Sequence, residues 1–437
     1  MSAKIAVNLL GQRRYLPLLV AQALGAFNDN FFRYALVTLV AYHGLTVFDL
    51  PRDVLVPVAA SLFTIPIFLF SAMAGRVADV FDRTRVLRFT KFAEIWLMLL
   101  AAIGFIFQQP HLLLGTLFLM GIQSAFFAPA KNAALPTLLG SHELVPGNAM
   151  ISGTLNMAVL LGIGFGTVLI GGANGTVIVG VILVIVAVVG WITMRQLPPA
   201  PAATPGLKVS YNIVAETWRI AGYALRAPDV LRPLLGAAWF WMLAASIVTM
   251  MPVFAASVLG ADASVVLLFS ALFTVGAAVG AIACGVLSGK GDALPFTIVG
   301  AIGLVIFPTD VALYTMNIPL TPEGADLVGA GAFIADSHNW RILVDLGLAA
   351  VSAGLFVVPL QAMAQRRAPA ELRGRLLAAG GIMNAATATL GQFTLAGIAL
   401  VGLPLQSAFL FIASVSAFAA VFTFIRWRKG RAGTIDT

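Results

Sequence analysis

Twelve long apolar runs constrain this chain more than any other feature. Their approximate limits are 15–42, 54–79, 86–107, 112–132, 148–171, 174–194, 230–258, 263–288, 294–315, 340–363, 375–400 and 404–426. An α-helix rises about 1.5 Å per residue, so about 20 apolar residues cross a hydrocarbon core about 30 Å thick. Backbone polar groups have no water to bond there, and runs of this length satisfy them as helices. The pattern predicts an all-α polytopic membrane protein with 12 transmembrane helices. A soluble domain is excluded, because only 10% of the residues are charged where soluble proteins carry about 25%. Pro136, Pro146, Gly171-Gly172 and Pro404 fall between runs, where helix ends are expected. Arg13 and Arg14 followed by an apolar stretch suggest a leader, but the run continues past Ala21-Gln22-Ala23 and reads as a retained first helix.

The longest polar interruption, 195–229, contains Leu197-Pro198-Pro199-Ala200-Pro201 and Thr204-Pro205. It divides the chain into a six-helix bundle over 1–194, a cytoplasmic linker over 195–229 and a second six-helix bundle over 230–437. A short amphipathic helix is expected over 211–225, from Tyr211 onward, on the membrane surface. With the N-terminus in the cytoplasm, 23 of the 26 lysines and arginines fall in or beside inward-facing segments, Lys290 among them. The 316–339 loop opposite carries Glu323, Asp326 and Asp336 and no basic residue. Both termini are therefore expected in the cytoplasm. This spread of charge also argues against a nucleic-acid partner despite the net charge of +8. The lone Cys284 reads as packing, and no metal site or cofactor is expected. Enzyme chemistry is disfavoured as well: His43, His111, His142 and His338 have Phe48, Thr116, Gly147 and Leu343 five positions on, where an acyltransferase motif needs an aspartate.

Polar residues inside apolar runs are costly and mark function or internal pairing. In the first run, Gln22, Gly25, Ala26, Asp29 and Arg33 share a helical face, and Asn28 and Asn30 flank the acid. Asp29 and Arg33 are spaced to pair one turn apart. The pair reads either as a transport centre or as a structural neutralisation. In the fourth run Pro129 interrupts the helix and Lys131 follows, with Gln123 two turns deeper. Lys131 reads either as an anion contact or as a snorkelling lysine at the interface. In the fifth, Asn148, Ser152 and Asn156 form a polar face, and Gly162, Gly164 and Gly166 suit close helix contact. In the second half Arg341 and Asp345 repeat the four-residue pairing, and Asn384, Thr387 and Gln392 mark one face of the eleventh run. At least one of Trp239 and Trp241 reads as an interface anchor, and Asp310 as a residue facing an external vestibule.

Two weak repeats relate the halves. Leu62-Phe63-Thr64 precedes Gly75 as Leu272-Phe273-Thr274 precedes Gly285, and Glu143-Leu144 opens one run as Glu371-Leu372 opens another. With the loop Gly75-Arg76-Val77-Ala78-Asp79-Val80-Phe81-Asp82-Arg83-Thr84-Arg85, this resembles the major facilitator superfamily, whose two six-helix halves are related by an axis along the membrane normal. The resemblance implies gating roles for Gly75, where two helices approach closely, and for Asp79, Arg83 and Arg85, which would form a closed-state latch. Arg341 and Asp345 are the corresponding gating candidates in the second half. Val80, Asp82 and Gly289 depart from the signature.

Further motifs resemble the bacterial lysophospholipid transporters of that superfamily. They are Phe27-Asn28-Asp29-Asn30, Pro129-Ala130-Lys131, Glu143-Leu144-Val145 with Gly147-Asn148-Ala149, and Arg341 with Asp345 leading into Val357-Val358-Pro359-Leu360. Phe31-Phe32-Arg33 and Trp239-Phe240-Trp241 are most similar to the form fused to an acyltransferase and an acyl ligase. The resemblance implies movement of lysophosphatidylethanolamine-type lipids from the outer to the inner leaflet of the bacterial inner membrane, for reacylation by enzymes on separate chains. It implies substrate contacts at Asp29, Arg33, Asn30, Lys131, Gln123, Asn148, Ser152 and Asn384, with sodium or a proton as the possible coupling ion. Val248, Ser152 and Gly380-Gly381 stand where relatives are expected to carry other polar residues. The competing reading is a proton-coupled exporter of amphipathic drugs with Asp29 as the proton carrier.

Overall fold

The structure is a computed structural model that describes residues 8–140, 142–202, 204, 212–288, 294–322, 324–369 and 373–432. Tyr211, Lys290, Glu323 and the Glu371-Leu372 repeat lie outside the described residues. The helices in chain order are α1 Leu16–Tyr42, α2 Arg52–Val80, α3 Arg83–Ile106, α4 Pro110–Leu138, α5 Leu144–Ile170, α6 Gly175–Met194 and α7 Ile213–Leu225. They continue as α8 Pro228–Ser257, α9 Ala263–Ser288, α10 Leu294–Thr315, α11 Ala330–Ala335, α12 Trp340–Arg367, α13 Arg373–Leu400 and α14 Ser407–Ala432.

Ten of these helices are long and apolar enough to cross a membrane. Two more have the length, α1 with 27 residues and α13 with 28. They fall short on apolarity because they carry the Asp29 and Asn384 polar faces. Large apolar side chains such as Phe89, Trp96, Val286 and Phe418 are exposed on the helices, as lipid-facing residues must be. The protein is a multi-pass membrane protein. Helix starts follow local chemistry: Asp82 caps α3 by accepting from the Arg85 N–H at 2.9 Å, and Pro110 and Pro228 occupy first-turn positions of α4 and α8.

The boundaries differ from expectation in three places. Pro136 lies within α4, which continues unbroken past Pro129 to Leu138, so Pro129 does not interrupt the helix. Pro146 lies in the first turn of α5, where the missing N–H is tolerated. The 316–339 segment is no plain loop: Val328 bridges to Ala261, α11 follows, and a 3-10 turn over Ser337–Asn339 leads into α12. The linker helix α7 turns Val214, Trp218 and Leu225 outward and buries Glu216, which pairs with Arg219 at 2.6 Å. An apolar face turned outward is the arrangement of a helix lying at the membrane interface.

The chain forms two compact units, residues 1–50 with 62–220 and residues 51–61 with 221–437. In the first, α1 packs along α5, and α3 packs against α4 and α6. Gly162 and Gly166 let α5 ride directly on the α1 backbone at Phe27 and Phe31. Without a hydrophobic drive between helices in lipid, such close backbone approach is the main source of packing energy. In the second unit, α12 packs against α8, α9 and α10, and α8 against α13.

Candidate functional site

Three helices of the first unit converge on a set of charges. Lys91 and Glu94, one turn apart on α3, form an ion pair at 2.6 Å, with side chains only 1% and 4% exposed. The Gln123 side-chain amide on α4 donates to the same Glu94 oxygen and to the Thr90 carbonyl, both at 3.3 Å. Next along α4, the Ser124 hydroxyl lies 3.3 Å from an Asp29 oxygen and 3.4 Å from Gln123 Oε1. A continuous polar track therefore runs from Asp29 on α1 through Ser124 and Gln123 to Glu94 and Lys91 on α3. Space for it comes from glycine: a Cβ on Gly25 of α1 would collide with the Lys91 ammonium. The ammonium also lies 5.2 Å from the centre of the Phe127 ring, within cation–π range. The second Glu94 oxygen is buried with no hydrogen-bond partner.

The sequence reading missed Lys91 and Glu94. Lys91 is one of the lysines and arginines assigned to or beside inward-facing segments, whereas it is the ninth residue of α3 with its side chain buried. The available signal was an acid three residues after a lysine within an apolar run, a spacing that places both on one helix face.

The face predicted on α1 divides among several neighbours. The Gln22 amide reaches the Ile151 carbonyl of α5 at 3.4 Å, and the Asn28 amide reaches the Leu183 carbonyl of α6 at 3.0 Å. Asn30 bonds back to Ala26 of its own helix at 2.8 Å. Arg33 does not pair with Asp29. Its guanidinium lies over the Phe63 ring at 5.0 Å, and the acid is met by Ser124 instead. Lys131 is half-buried and makes no hydrogen bond or ion pair with the described residues. It lies seven residues beyond Ser124, two turns and about 10 Å along the same face of α4. On α5, Asn148, Ser152 and Asn156 are all exposed, and Asn148 bonds to the Leu144 carbonyl. At the base of α5, Arg14 pairs with Glu143 at 2.7 Å. The Gly140 N–H, with Arg14 beside it, holds the Glu143 carboxyl below the usual glutamate range.

The expected latch in the loop before α3 is built differently. A Cβ on Gly75 would meet none of the described residues within 4 Å. Asp79 is exposed and forms no ion pair with the described residues; its backbone carbonyl accepts from the Thr204 N–H at 3.0 Å. Arg83 is buried and donates to the Pro201 carbonyl at 3.1 Å, Thr84 to that of Pro198 at 2.7 Å, and Arg88 to those of Arg195 and Leu197. Arg85 uses only its backbone N–H, to cap α3. These side chains tie the proline-rich segment after α6 to the start of α3. Free carbonyls there outcompete the exposed aspartate.

In the second unit Arg341 does not pair with Asp345. It makes a two-pronged bond to Asp310 of α10, at 2.8 and 2.7 Å, and lies over the Tyr314 ring. Asp310 is thus an ion-pair partner with a side chain 32% exposed. On α13 the Asn384 amide is satisfied with its oxygen 3.3 Å from the Trp241 indole nitrogen and its nitrogen 3.1 Å from the Gly380 carbonyl. Trp241 is therefore tied to α13 through its N–H. Thr387 donates to the Ala238 carbonyl of α8 at 2.7 Å, and Gln392 is buried. An apolar cavity opens among α8, α9, α10 and α12, lined by Phe240, Ile247, Val248, Phe269, Phe273 and Leu346 among others.

Comparison with known proteins agrees with this architecture. The chain is 26% identical to the lysophospholipid transporter LplT of Salmonella paratyphi B, over 92% of this chain and 93% of that protein. It is 28% identical to LplT of Enterobacter sp., over 77% of this chain and 89% of that one. Among solved structures, the POT family transporter PepTSo superposes with a TM-score of 0.66 at 14% identity, covering 95% of this chain and 99% of that one. A bacterial homolog of the human lysosomal transporter Spinster superposes with a TM-score of 0.61 at 16% identity, covering 96% and 98%. The family model of the Major Facilitator Superfamily matches residues 18–319, and the chain belongs to that superfamily of membrane transporters.

Proposed function

We propose that this protein is a lysophospholipid transporter that moves lysophosphatidylethanolamine-type lipids from the outer to the inner leaflet of the bacterial inner membrane. The observation that carries the reading is the Asp29–Ser124–Gln123–Glu94–Lys91 track, a charged line inside an apolar bundle. Relatives that bear the name lysophospholipid transporter support it. A lysolipid carries an apolar chain, which apolar helices tolerate, and a zwitterionic headgroup, which lipid tails do not. Asp29 has a single hydroxyl donor and is the contact for the headgroup amine. Lys131, a cation without a partner among the described residues, is the contact for the phosphate. Gln123 and Asn30 hold the walls of this site, and Arg33 stays engaged with Phe63 until a headgroup phosphate competes for it. Asn148, Ser152 and Asn384 contribute polar surface along the route.

Transport proceeds by alternating access, without catalysis and without a cofactor, between bundles at 1–194 and 230–437 joined by the 195–229 linker. Both termini lie in the cytoplasm, where acyltransferase and acyl-ligase chains receive the product. Gly75, Asp79, Arg83 and Arg85, with Arg341 and Asp345, act in gating. The test is headgroup translocation of a labelled lysophosphatidylethanolamine in liposomes containing the full chain. Asp29→Ala and Lys131→Ala are each expected to lower the rate at least tenfold. Wild-type rates in both variants would remove these residues from the mechanism. Uptake of a cationic dye driven by a pH gradient, with no lysolipid movement, would replace this reading with a drug exporter.

A further inference from the structure

The second unit holds a charge cluster that the lysolipid site does not use. It lies where α10 ends and α12 begins. Arg341 Nε and Nη2 reach the two Asp310 oxygens at 2.8 and 2.7 Å, and the guanidinium lies 4.8 Å from the centre of the Tyr314 ring. This bidentate bond commits the arginine to Asp310. Asp345 is one turn further along α12 and is 8% exposed. One of its carboxyl oxygens is buried with no hydrogen-bond partner, and Asp310, held by Arg341 one turn before it on α12, is the neighbouring acid.

Two carboxyl groups in contact repel when both are ionised and attract when one proton sits between them. A single arginine, held by one of them, leaves the second charge uncompensated. Among the described residues, the surroundings supply no other cation. Asp310, Arg341 and Tyr314 are the groups that act on Asp345 and its partner from α10 and α12. Helix α9 has no charged residue over Ala263–Ser288, those of α8 are Asp229 and Arg232 in its first turns, and those of α14 begin at Arg426. The neighbouring His338 imidazole is engaged with Asp336 at 3.0 Å, and only its backbone carbonyl meets Tyr314.

We propose that Asp310 and Asp345 hold one proton between them, so that this end of the second unit is a proton-binding site. Loading adds one proton from water to a carboxylate oxygen and forms an O–H···O bond across α10 and α12. Unloading returns it to water. Asp310 provides the route, because its side chain is 32% exposed whereas Asp345 is buried. After unloading, two carboxylates share one guanidinium, and the contact between α10 and α12 turns repulsive.

The test is infrared difference spectroscopy of the purified full chain in lipid nanodiscs across a pH titration, with no lysolipid added. Failure of the lysolipid reading therefore leaves it intact. The wild type is expected to show a protonated-carboxyl stretching band that titrates as one group. Asp310→Asn and Asp345→Asn should each abolish it, whereas Asp29→Asn and Asp345→Glu should keep it. Persistence of the band, with its midpoint unmoved, in both asparagine variants overturns the proposal, as does its absence from the wild type. If one variant does not elute as a folded monodisperse species, the other reads the same band.

Discussion

Lys91 and Glu94 form an ion pair inside apolar packing, and each keeps its place only because the other is present. Removing one partner leaves a buried charge, which costs about 3–5 kcal/mol, whereas removing both costs far less. The Lys91→Met variant should therefore unfold at a markedly lower temperature, and Lys91→Met with Glu94→Gln should recover most of the loss. Thermal unfolding in detergent, followed by tryptophan fluorescence, separates the two. Equal melting temperatures in the single and double variants would show that the pair is not energetically coupled. The same reasoning places Asp29 differently: one serine hydroxyl meets it, and Arg33 lies over Phe63 instead of closing the charge. A carboxylate with spare acceptor capacity in a low-dielectric bundle is suited to a cationic headgroup group, since charge contacts strengthen as water leaves.

Helix α1 is the element around which the first unit is assembled. Its backbone at Phe27 and Phe31 meets Gly162 and Gly166 of α5, and Gly25 makes room for Lys91 of α3. A Gly162→Leu change forces α5 away from α1, an overpacking expected to cost about 1–3 kcal/mol. Gly75→Ala on α2 should behave in the opposite way. No atom of the described residues lies within 4 Å of the added Cβ, and alanine favours the helix by about 0.5–1 kcal/mol. Melting temperatures of the two variants check this, with a fall for Gly162→Leu and no fall for Gly75→Ala. A large fall at Gly75 would restore the close-approach role its motif implies. The resemblance implies that role, but a motif reports which residues share a helix, not what lies opposite them. For the same reason the α5 glycine contact was read correctly while the partner of Arg83 was not: three proline-segment carbonyls lie near the start of α3, and they arrive from a part of the chain more than a hundred residues away.

The arrangement of the whole molecule in the bilayer follows from its charge distribution. The 316–339 segment, free of basic residues, should face the outside, and the 75–85 loop the cytoplasm. Labelling tests this in a Cys284→Ala background. Asn317→Cys should react with an impermeant maleimide on intact cells, and Arg85→Cys only after permeabilisation; the reverse pattern would invert the proposed topology. Membrane class and the positions of most helices were readable from the chain. A bilayer makes each helix satisfy its backbone within its own stretch and sets its minimum length, and both are local properties. Partner choice is not local. Four-residue spacing paired Asp29 with Arg33 and Arg341 with Asp345. The folded bundle instead gives Arg33 to Phe63, Asp29 to Ser124 and Arg341 to Asp310, and turns Lys91 inward to Glu94. Only tertiary packing decides these, because a long side chain reaches several neighbouring helices, and the outcome depends on which of them leaves space, a ring or an opposite charge at that depth.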